Sequence, residues 1–350
     1  MKNILFIKLG AIGDAIQAGA ALLEFKTINP QVKIDWIIGS GIAPLFRNFD
    51  AIDQFIVISD AQIYRGHFFE RLLALCRALY LILVKSGRYD EVFIGHSDSR
   101  YRLFSIPALL KNPILISKKL KIFSPSLSEN RVSEYFHFLL NNQTSNLDVS
   151  SSLLKLGKAL RMAQPNDTKD LEDAFSGVVV LVPGGSKNLL REDVLRRWPL
   201  DRYVQLANRL LIEGYRVVLV GGKDDAWVSP HFEGLRLTNC IGKTTLSELT
   251  YLLEFAAVIV SHDTGPLHLA TLTNTPIVSL FGPTPASAVV PLNRVNIKIL
   301  AADKSVTCAP CYDGKNYAPC SNPICMQSIS IDQVLGFIKP YMQSKIDARH

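Results

Sequence analysis

The segment Ser261–Ala270, with the sequence SHDTGPLHLA, holds the residues best suited to binding a charged phosphate group. An apolar run typical of a buried strand ends just before it, and a helical pattern begins at Gly265. N–H groups at the start of a helix bind anions, and the helix dipole strengthens this binding. We therefore predict that Thr264 and Gly265 hold a diphosphate, beside a second turn at Gly282–Thr284 that follows the next strand.

Two polar residues of this segment also allow a purely structural interpretation. Asp263 could cap the helix, since aspartate is a preferred capping residue. His268 could be an ordinary hydrogen-bonded histidine of that helix. Either residue alone would therefore be weak evidence for a binding site.

A second cluster with chemical potential is formed by four cysteines in a loop rich in Pro, Gly and Asn. Cys308, Cys311, Cys320 and Cys325 follow the pattern C-x2-C-x8-C-x4-C. Four thiolates at these separations could close a tetrahedral Zn or Fe site. The spacing is not that of a standard zinc ribbon, so a reduced or partly disulfide-bonded loop is the alternative. The other two cysteines, Cys76 and Cys240, are expected to be ordinary buried residues.

Length and composition indicate a folded protein with two domains. The 350 residues exceed the roughly 100–200 of one ordinary domain. Lys8 and Asp14 interrupt the N-terminal apolar run before it reaches the length of a signal segment. The longest later run, Leu72–Val84, is broken by Arg77 and is too short to span a bilayer. We therefore expect a cytoplasmic protein, in which structural disulfides are uncommon.

The charge balance favours anionic partners without naming one. The formal net charge is +7, and residues 60–131 contain 12 Lys and Arg against 6 Asp and Glu. Basic residues alternate with aromatic ones there, as in Arg100-Tyr-Arg102. A solvated basic surface with no specific partner is the alternative. Nucleic acid is disfavoured, because no zinc-finger pattern, basic helix or RNA-recognition signature is present.

Alternating strand and helix patterns predict an α/β protein with parallel sheets. In the first half, strands are predicted at Asn3–Leu9, Val32–Ile38, Phe55–Ile58 and Glu91–Ile94, and helices at Ala15–Phe25 and Glu70–Lys85. In the second half, strands are predicted at Val178–Val182, Arg216–Val220, Ala257–Val260 and Pro276–Phe281, and helices at Asp201–Glu213, Leu246–Phe255 and Gly265–Leu272. Polar residues 141–173, with one short helical stretch, separate the halves. Neither half contains G-x-G-x-x-G, which argues against a dehydrogenase.

Several motifs spread over the chain resemble one family. These are IKLGAIGDAI at 7–16, IDWI at 34–37, VPGGS at 182–186, RWP at 197–199, VGG at 220–222, DTGPLHLA at 263–270 and LFGPT at 280–284. Together they are similar to the signature of glycosyltransferase family 9, the ADP-heptose:lipopolysaccharide heptosyltransferases. The cysteine cluster resembles cysteine-rich loops of some members, including autotransporter heptosyltransferases that hold iron in such a motif.

The resemblance implies a GT-B fold, with two Rossmann-like doubly wound domains facing a central cleft. The acceptor domain would comprise residues 1–165 and the nucleotide-sugar domain residues 170–330. The C-terminal helical segment, 331–350, would pack back on the first domain by analogy.

The resemblance also implies a catalytic role for Asp14, which matches the position of the family's proposed general base. A sugar hydroxyl is a poor nucleophile, so a carboxylate must accept its proton as the anomeric carbon is attacked. Asp14 could instead cap a helix that begins at Ala15. Lys8, in the same loop, would bind phosphate or a donor oxygen, or would be a solvated charge.

The donor site implied by the family consists of further strand-end residues. Basic side chains after Pro183 would stabilise the leaving diphosphate in the absence of a metal. Arg197 stands where relatives typically have Lys, a change from a point charge to a planar fork. The expected donor contacts are Lys8, Ser186, Lys187, Arg197, Asp224 at the ribose, Gly242 and Lys243 near the nucleobase, Asp263, Thr264, Gly265, Pro266 and His268.

The implied reaction is inverting, metal-independent transfer of a heptose or related sugar from a nucleotide-diphosphate sugar to the lipopolysaccharide core. Arg100 and Arg102 are expected to bind the anionic acceptor, and contact with the inner face of the inner membrane would follow. No cofactor is expected for catalysis, although the four cysteines could hold a structural Zn or Fe. The alternatives are a protein or other glycan acceptor, an epimerase or hydrolase, and a non-catalytic nucleotide-sugar-binding subunit.

Overall fold

A computed structural model describes residues 2–111, 120–143, 145–161, 175–187 and 192–347. Their contacts divide the chain into two compact units, Met1–Ala163 and Gln164–His350. Each unit contains one parallel sheet. The chain therefore has the two-sheet α/β architecture that the sequence predicts.

The first sheet has five strands in the order β3-β2-β1-β4-β5. Its strands are β1 (Asn3–Ile7), β2 (Lys33–Gly39), β3 (Gln54–Ile58), β4 (Glu91–Ile94) and β5 (Leu120–Ile122). Its helices are α1 (Ile12–Ile28), α2 (Asp60–Tyr64), α3 (Phe68–Lys85), α4 (Ile106–Lys111), α5 (Arg131–Leu139) and α6 (Val149–Arg161), with 3-10 turns at Ala43–Phe46 and Ser99–Ser105.

The second sheet has six strands in the order β11-β10-β9-β6-β7-β8. Its strands are β6 (Val179–Val182), β7 (Val217–Leu219), β8 (Thr238–Asn239), β9 (Val258–His262), β10 (Ile277–Phe281) and β11 (Ile297–Ala301). Its helices are α7 (Leu200–Ile212), α8 (Leu246–Phe255), α9 (Gly265–Ala270), α10 (Ala286–Val289), α11 (Ile324–Gln327) and α12 (Ile331–Asp347), with 3-10 turns at Val194–Arg196 and Lys223–Phe232.

The two sheets have the same strand connectivity. In each, strands are first added outward on one side of the first strand and then on its other side. The strand order therefore reverses between β1 and β4 and between β6 and β9. Parallel sheets are covered on both faces, which explains why β6, β9 and β10 are buried along their whole length. In such folds ligands bind beyond the strand C-termini at the point of reversal. Those two points position the candidate sites.

Two predicted segments lie outside the sheets. The polar segment 141–173 contains its predicted helical stretch as α6, whose Leu153 and Leu156 are buried and which packs on α1, so this part belongs to the first unit. The C-terminal segment was expected to pack on the first domain. Instead, the buried side chains of α12, Val334, Leu335, Ile338 and Met342, belong to the core of the second unit, because they form an apolar stripe that covers the second sheet.

Candidate active site

In the first unit, the candidate base Asp14 forms an ion pair with Lys8. Lys8 Nζ lies 2.7 Å from Asp14 Oδ2; the lysine side chain is 1% exposed and the aspartate side chain 37%. Desolvation alone would raise the pKa of Asp14, but the Lys8 ammonium outweighs it and lowers the pKa to about 2. Asp14 is therefore ionised at neutral pH, the form that can accept a proton.

The structure excludes the capping role that the sequence left open for Asp14. Helix α1 begins at Ile12, its N-cap is Ala11, and no side chain caps it. Asp14 lies in the first turn, and the hydrogen bond of its carboxylate comes from Lys8. One carboxylate oxygen is thus held while the residue stays partly open to solvent.

The Lys8–Asp14 pair lies at the reversal point of the first sheet, beside residues that follow β4. The Tyr101 hydroxyl donates to the Gly10 carbonyl at 3.4 Å, and the Lys8 ammonium lies 5.9 Å from the Tyr101 ring centroid. His96 stacks on that ring at 4.6 Å. Burial lowers the pKa of His96 to about 4, and the Lys8 charge acts in the same direction. His96 is therefore neutral at pH 7.

The predicted acceptor residues lie in the turn that carries Tyr101. Arg100 donates to Asp98 through Nε and Nη2, and its guanidinium lies over the Tyr64 ring. Arg102 is exposed. Part of the Arg100 charge is thus neutralised, and Arg102 is the more accessible cation.

In the second unit, the loops after β6 and β9 meet at a contact that only glycine allows. Gly185 has φ +84°, and a Cβ there would lie 2.0 Å from Thr264 Oγ1. The next residue, Ser186, donates from its backbone N–H to Thr264 Oγ1 at 3.1 Å and from its hydroxyl to the Asp263 carbonyl at 3.2 Å. The predicted residues Ser186, Asp263 and Thr264 are therefore brought together at the reversal point.

Asp263 is the centre of a buried polar cluster. Its Oδ2 lies 3.2 Å from Arg196 Nη1, and its Oδ1 lies 3.8 Å from His268 Nε2. Burial would raise the pKa of Asp263, but the Arg196 guanidinium overrides this and holds the pKa below its usual value. Asp263 is not the cap of α9, because that position is occupied by Thr264. The capping interpretation of Asp263 is therefore wrong.

The remaining predicted donor residues lie at the same sheet edge. Gly265 and Pro266 open α9. Lys187 is exposed, and its backbone pairs with that of Glu192 in an isolated antiparallel β-bridge. Gly242 donates to the Gly221 carbonyl at 3.0 Å, and Lys243 Nζ donates to the Asn239 carbonyl, so the loop after β8 rests on the loop after β7.

Arg197 fixes the glycine-rich loop in this structure. Its Nε and Nη2 donate to the Gly185 carbonyl at 3.0 and 2.7 Å, and Nη2 also reaches Glu192. Its guanidinium lies 5.0 Å from the Trp227 ring centroid. The planar fork of arginine is used here to hold two acceptors at once, which a lysine could not reproduce in the same geometry.

The acidic pair after β7 divides into an exposed and a buried member. Asp224, the predicted ribose residue, is exposed. Asp225 is buried and accepts from the Gly185 N–H at 2.6 Å and from the Gly222 N–H at 2.8 Å. Asp225 therefore ties the loops after β6 and β7 together, a role that the sequence analysis did not assign.

Acid is expected to destabilise the second unit through His262. This side chain is fully buried, and its Nδ1 lies 3.1 Å from the Tyr203 hydroxyl. Burial, reinforced by the Arg196 charge, lowers its pKa from 6.5 to about 3. Between these values the unfolded chain binds a proton that the folded chain does not, so the free energy of unfolding should fall as the pH drops from about 6.5 towards 3.

Urea unfolding at pH 7 and pH 5 would measure this dependence. We expect His262→Gln to weaken the loss of stability between the two pH values, and His231→Gln, which alters an exposed histidine of the same unit, to leave it unchanged. An unaltered loss in His262→Gln would show that other groups cause the acid sensitivity.

The chain matches one known protein family. A family model described as glycosyltransferase family 9 (heptosyltransferase) matches residues 115–320. The chain belongs to glycosyltransferase family 9. It is thus a glycosyltransferase, and the DTGPLHLA segment and the loops around it lie inside the matched region.

Individual heptosyltransferases are similar in sequence to this family 9 chain. Lipooligosaccharide heptosyltransferase 2 of Campylobacter jejuni is 24% identical over 94% of the chain and 95% of its own length. Lipooligosaccharide heptosyltransferase 2 of Haemophilus influenzae is 35% identical over 105 residues, which are 28% of the chain and 30% of that protein.

Solved structures show the same fold. The Escherichia coli ADP-heptose lps heptosyltransferase II superposes with a TM-score of 0.66 at 18% identity, covering 99% of both chains. The iron-containing dodecameric glycosyltransferase TibC from enterotoxigenic E. coli superposes with a TM-score of 0.59 at 15% identity, covering 98% of this chain and 76% of TibC. The fold of the family 9 chain is therefore GT-B.

The cysteine loop of the family 9 chain borders the Asp263 cluster. Cys308, Cys311, Cys320 and Cys325 all line one small cavity, together with Leu195 and Pro283. In the part of the chain that the structure describes, no three Cys, His, Asp or Glu side chains are grouped closely enough to hold a metal ion. The thiols thus share a cavity without forming a finished metal site.

Residues that the sequence did not single out connect the cysteine loop to the predicted donor residues. The Cys311 and Tyr312 N–H groups donate to the Pro283 carbonyl at 2.9 and 3.0 Å, and the Tyr317 hydroxyl lies 3.1 Å from Thr284 Oγ1. The Thr284 hydroxyl also bonds to Asp263. The only sequence signal for Tyr317 was its place between two of the cysteines. Its contact depends on a loop path that periodicity does not predict.

Proposed function

We propose that this family 9 enzyme transfers a heptose from a nucleotide-diphosphate sugar, ADP-heptose, to the lipopolysaccharide core. The observation that carries the proposal is the meeting of Gly185, Ser186, Asp263 and Thr264 at the reversal point of the second sheet. The relatives named above are described as heptosyltransferases, and the Escherichia coli structure named above is described as an ADP-heptose lps heptosyltransferase. These names support a heptose donor.

In the proposed reaction, an acceptor hydroxyl oxygen attacks the anomeric carbon while the bond from that carbon to the diphosphate breaks. The carboxylate of Asp14 accepts the hydroxyl proton, and the diphosphate leaves with the electron pair. A single displacement of this kind inverts the anomeric configuration. No metal is required, because protein cations and N–H donors stabilise the leaving group.

The leaving group would be bound by the strand-end residues of the second unit. Thr264, Gly265, Ser186, Lys187 and Arg197 are proposed at the diphosphate, with Asp263, Pro266 and His268 shaping its pocket. Asp224 is proposed at the ribose, and Gly242 and Lys243 at the nucleobase. Exposure of Asp224 and Lys187 is consistent with side chains available to a ligand.

The acceptor is proposed to bind the first unit, where Lys8 lies beside the base and Arg102 is exposed. Lys8 is proposed to orient Asp14 and to contact a donor or acceptor oxygen. Arg100 and Arg102 are proposed to bind phosphate groups of the core. Location in the cytoplasm, with contact at the inner face of the inner membrane, follows from this acceptor.

Release of nucleoside diphosphate tests the proposal. Purified protein would be incubated with ADP-, GDP- and UDP-sugars, with and without heptose-deficient lipopolysaccharide. Acceptor-dependent ADP release from ADP-heptose is expected. Nucleoside diphosphate release only with a protein or another glycan would identify that molecule as the acceptor. Turnover of the nucleotide sugar without any acceptor would indicate a hydrolase or epimerase. Binding of the nucleotide sugar without release would indicate a binding subunit.

A structural Zn or Fe ion at the four cysteines is a further part of the proposal. It is supported by the shared cavity and by the description of TibC as iron-containing. The sulfur atoms must draw closer together to ligate it, because the described residues contain no grouping tight enough to hold an ion. Burial and the neighbouring thiols raise the pKa of Cys325, and a bound cation would offset the cost of ionising this thiol. No step of the transfer depends on this ion.

Elemental analysis of the purified protein measures whether the ion is present. One Zn or Fe per chain is expected for the wild type, with loss in Cys311→Ser and no change in Cys76→Ser, which alters an exposed cysteine of the first unit. A wild type without stoichiometric metal would refute the structural ion and leave the transferase proposal intact.

A further inference from the structure

Helix α3 exposes an unusual amount of apolar surface. Phe69 is 80% exposed and Tyr80 is 70% exposed, and four aliphatic residues of the same helix, Leu72, Leu73, Leu83 and Val84, are exposed as well. Cys76, expected to be buried, also lies on this surface. We call this surface the outward stripe of α3; it comprises Phe69, Leu72, Leu73, Cys76, Tyr80, Leu83 and Val84.

The outward stripe follows helical periodicity. Its members recur at intervals of three or four residues along α3, with adjacent pairs at 72–73 and 83–84, so they form one face of the helix. The opposite face is Ala74, Ala78 and Ile82, which are buried in the core of the first unit. The helix therefore has a small apolar face towards the sheet and a larger one away from it. Packing within the unit explains only the first.

Exposed cations accompany the outward stripe. Arg77 lies along its edge, and Lys85 and Arg88 lie at and just beyond the C-terminal end of the helix. The one acidic residue of the helix, Glu70, accepts from the His67 N–H at the helix start. Exposed aromatic and aliphatic side chains between cations are typical of helices that lie in the interface of an anionic membrane.

We propose that the outward stripe of α3 docks the protein on an anionic lipid bilayer, with the helix lying in the plane of the interface. Its apolar side chains enter the acyl boundary and its cations meet lipid phosphates. In the described ranges, no helix has the length and hydropathy needed to cross a bilayer. The inference deepens the membrane contact proposed above and rests on it, but its test requires no sugar transfer.

Charge favours a lipid surface over a second copy of the chain. A symmetric contact between two outward stripes would bring the Arg77 guanidinium groups of the two copies towards each other, and like charges repel. A bilayer containing acidic lipids presents the opposite charge.

Flotation with lipid vesicles tests the proposal on the full chain. The wild type is expected to bind vesicles of phosphatidylethanolamine and phosphatidylglycerol, to bind phosphatidylcholine vesicles weakly, and to lose binding as salt is raised. Phe69→Ser/Tyr80→Ser should lower the partition coefficient between vesicles and water at least tenfold, as expected when two aromatic side chains that insert into the bilayer are removed. Arg77→Glu/Lys85→Glu should lower it without removing apolar surface.

A matched control is Ile212→Ser/Val295→Ser, which removes exposed apolar side chains of the second unit and should leave binding unchanged. Equal binding by Phe69→Ser/Tyr80→Ser and the wild type would overturn the proposal, as would a wild type that ignores anionic vesicles. Self-association of the wild type that the stripe variant abolishes, without vesicle binding, would assign the surface to a second copy. Nucleotide release by a stripe variant that no longer floats would show that the transferase proposal stands separately.

Discussion

Asp14→Asn is expected to lower kcat by about 10²- to 10⁴-fold, the usual effect of removing a positioned general base. The asparagine keeps the size of the side chain but cannot take the proton of the acceptor hydroxyl. The affinity for the donor should change little, because all the proposed donor contacts except Lys8 lie in the second unit. Initial rates of nucleoside diphosphate release measure both effects.

The loss must be separated from damage to the fold, because Asp14→Asn also leaves the buried Lys8 ammonium without its partner. Lys8→Met/Asp14→Asn removes both charges and should recover thermal stability without recovering turnover. Asp53→Asn, which breaks the Lys26–Asp53 pair of the same unit, should retain most activity. Full turnover by Asp14→Asn, or recovery of turnover in the double variant, would refute the base assignment.

Arg196→Met is expected to lower the free energy of unfolding of the second unit by about 3–5 kcal/mol, the range for breaking a buried ion pair. Its guanidinium is the partner of Asp263 Oδ2, and that aspartate is 6% exposed. Without it, desolvation dominates and the pKa of Asp263 should rise. The folded variant then favours the protonated carboxyl, so the difference in stability between the variant and the wild type should narrow as the pH falls.

Chemical denaturation of three variants distinguishes this explanation from a general loss of packing. Adding Asp263→Asn to Arg196→Met should recover much of the stability. Arg209→Met breaks the Arg209–Asp332 pair, whose side chains are 46% and 80% exposed, and should cost no more than about 1 kcal/mol. Similar losses for Arg196→Met and Arg209→Met would contradict the buried-pair argument.

Strand positions were the part of the fold most open to prediction from sequence. β4, predicted as Glu91–Ile94, has those limits in the structure, because a parallel strand buried on both faces is a continuous apolar run. β5, β8 and β11 were not predicted. β8 is only two residues long, and β11 lies at the sheet edge with only its first residue buried, so neither produces such a run.

The site was predictable at the level of loops and less so at the level of side chains. The position of Thr264 at the start of α9 followed from the strand-to-helix transition. The residue types alone do not predict which of Arg196 and Arg197, or of Asp224 and Asp225, is buried. The path of the loop decides which of two neighbouring side chains points inward. In the structure Arg196 is the partner of Asp263 and Arg197 holds the Gly185 carbonyl.

The contact between Gly185 and Thr264 also limits how this sequence can drift. Any side chain at 185 would collide with the Thr264 hydroxyl, while the Gly185 N–H is bonded to Asp225. A side chain at position 185 would therefore also require a smaller residue at position 264. Functional descendants of this protein should retain Gly185 together with Thr264 or replace the two residues together, even as the surrounding surface diverges.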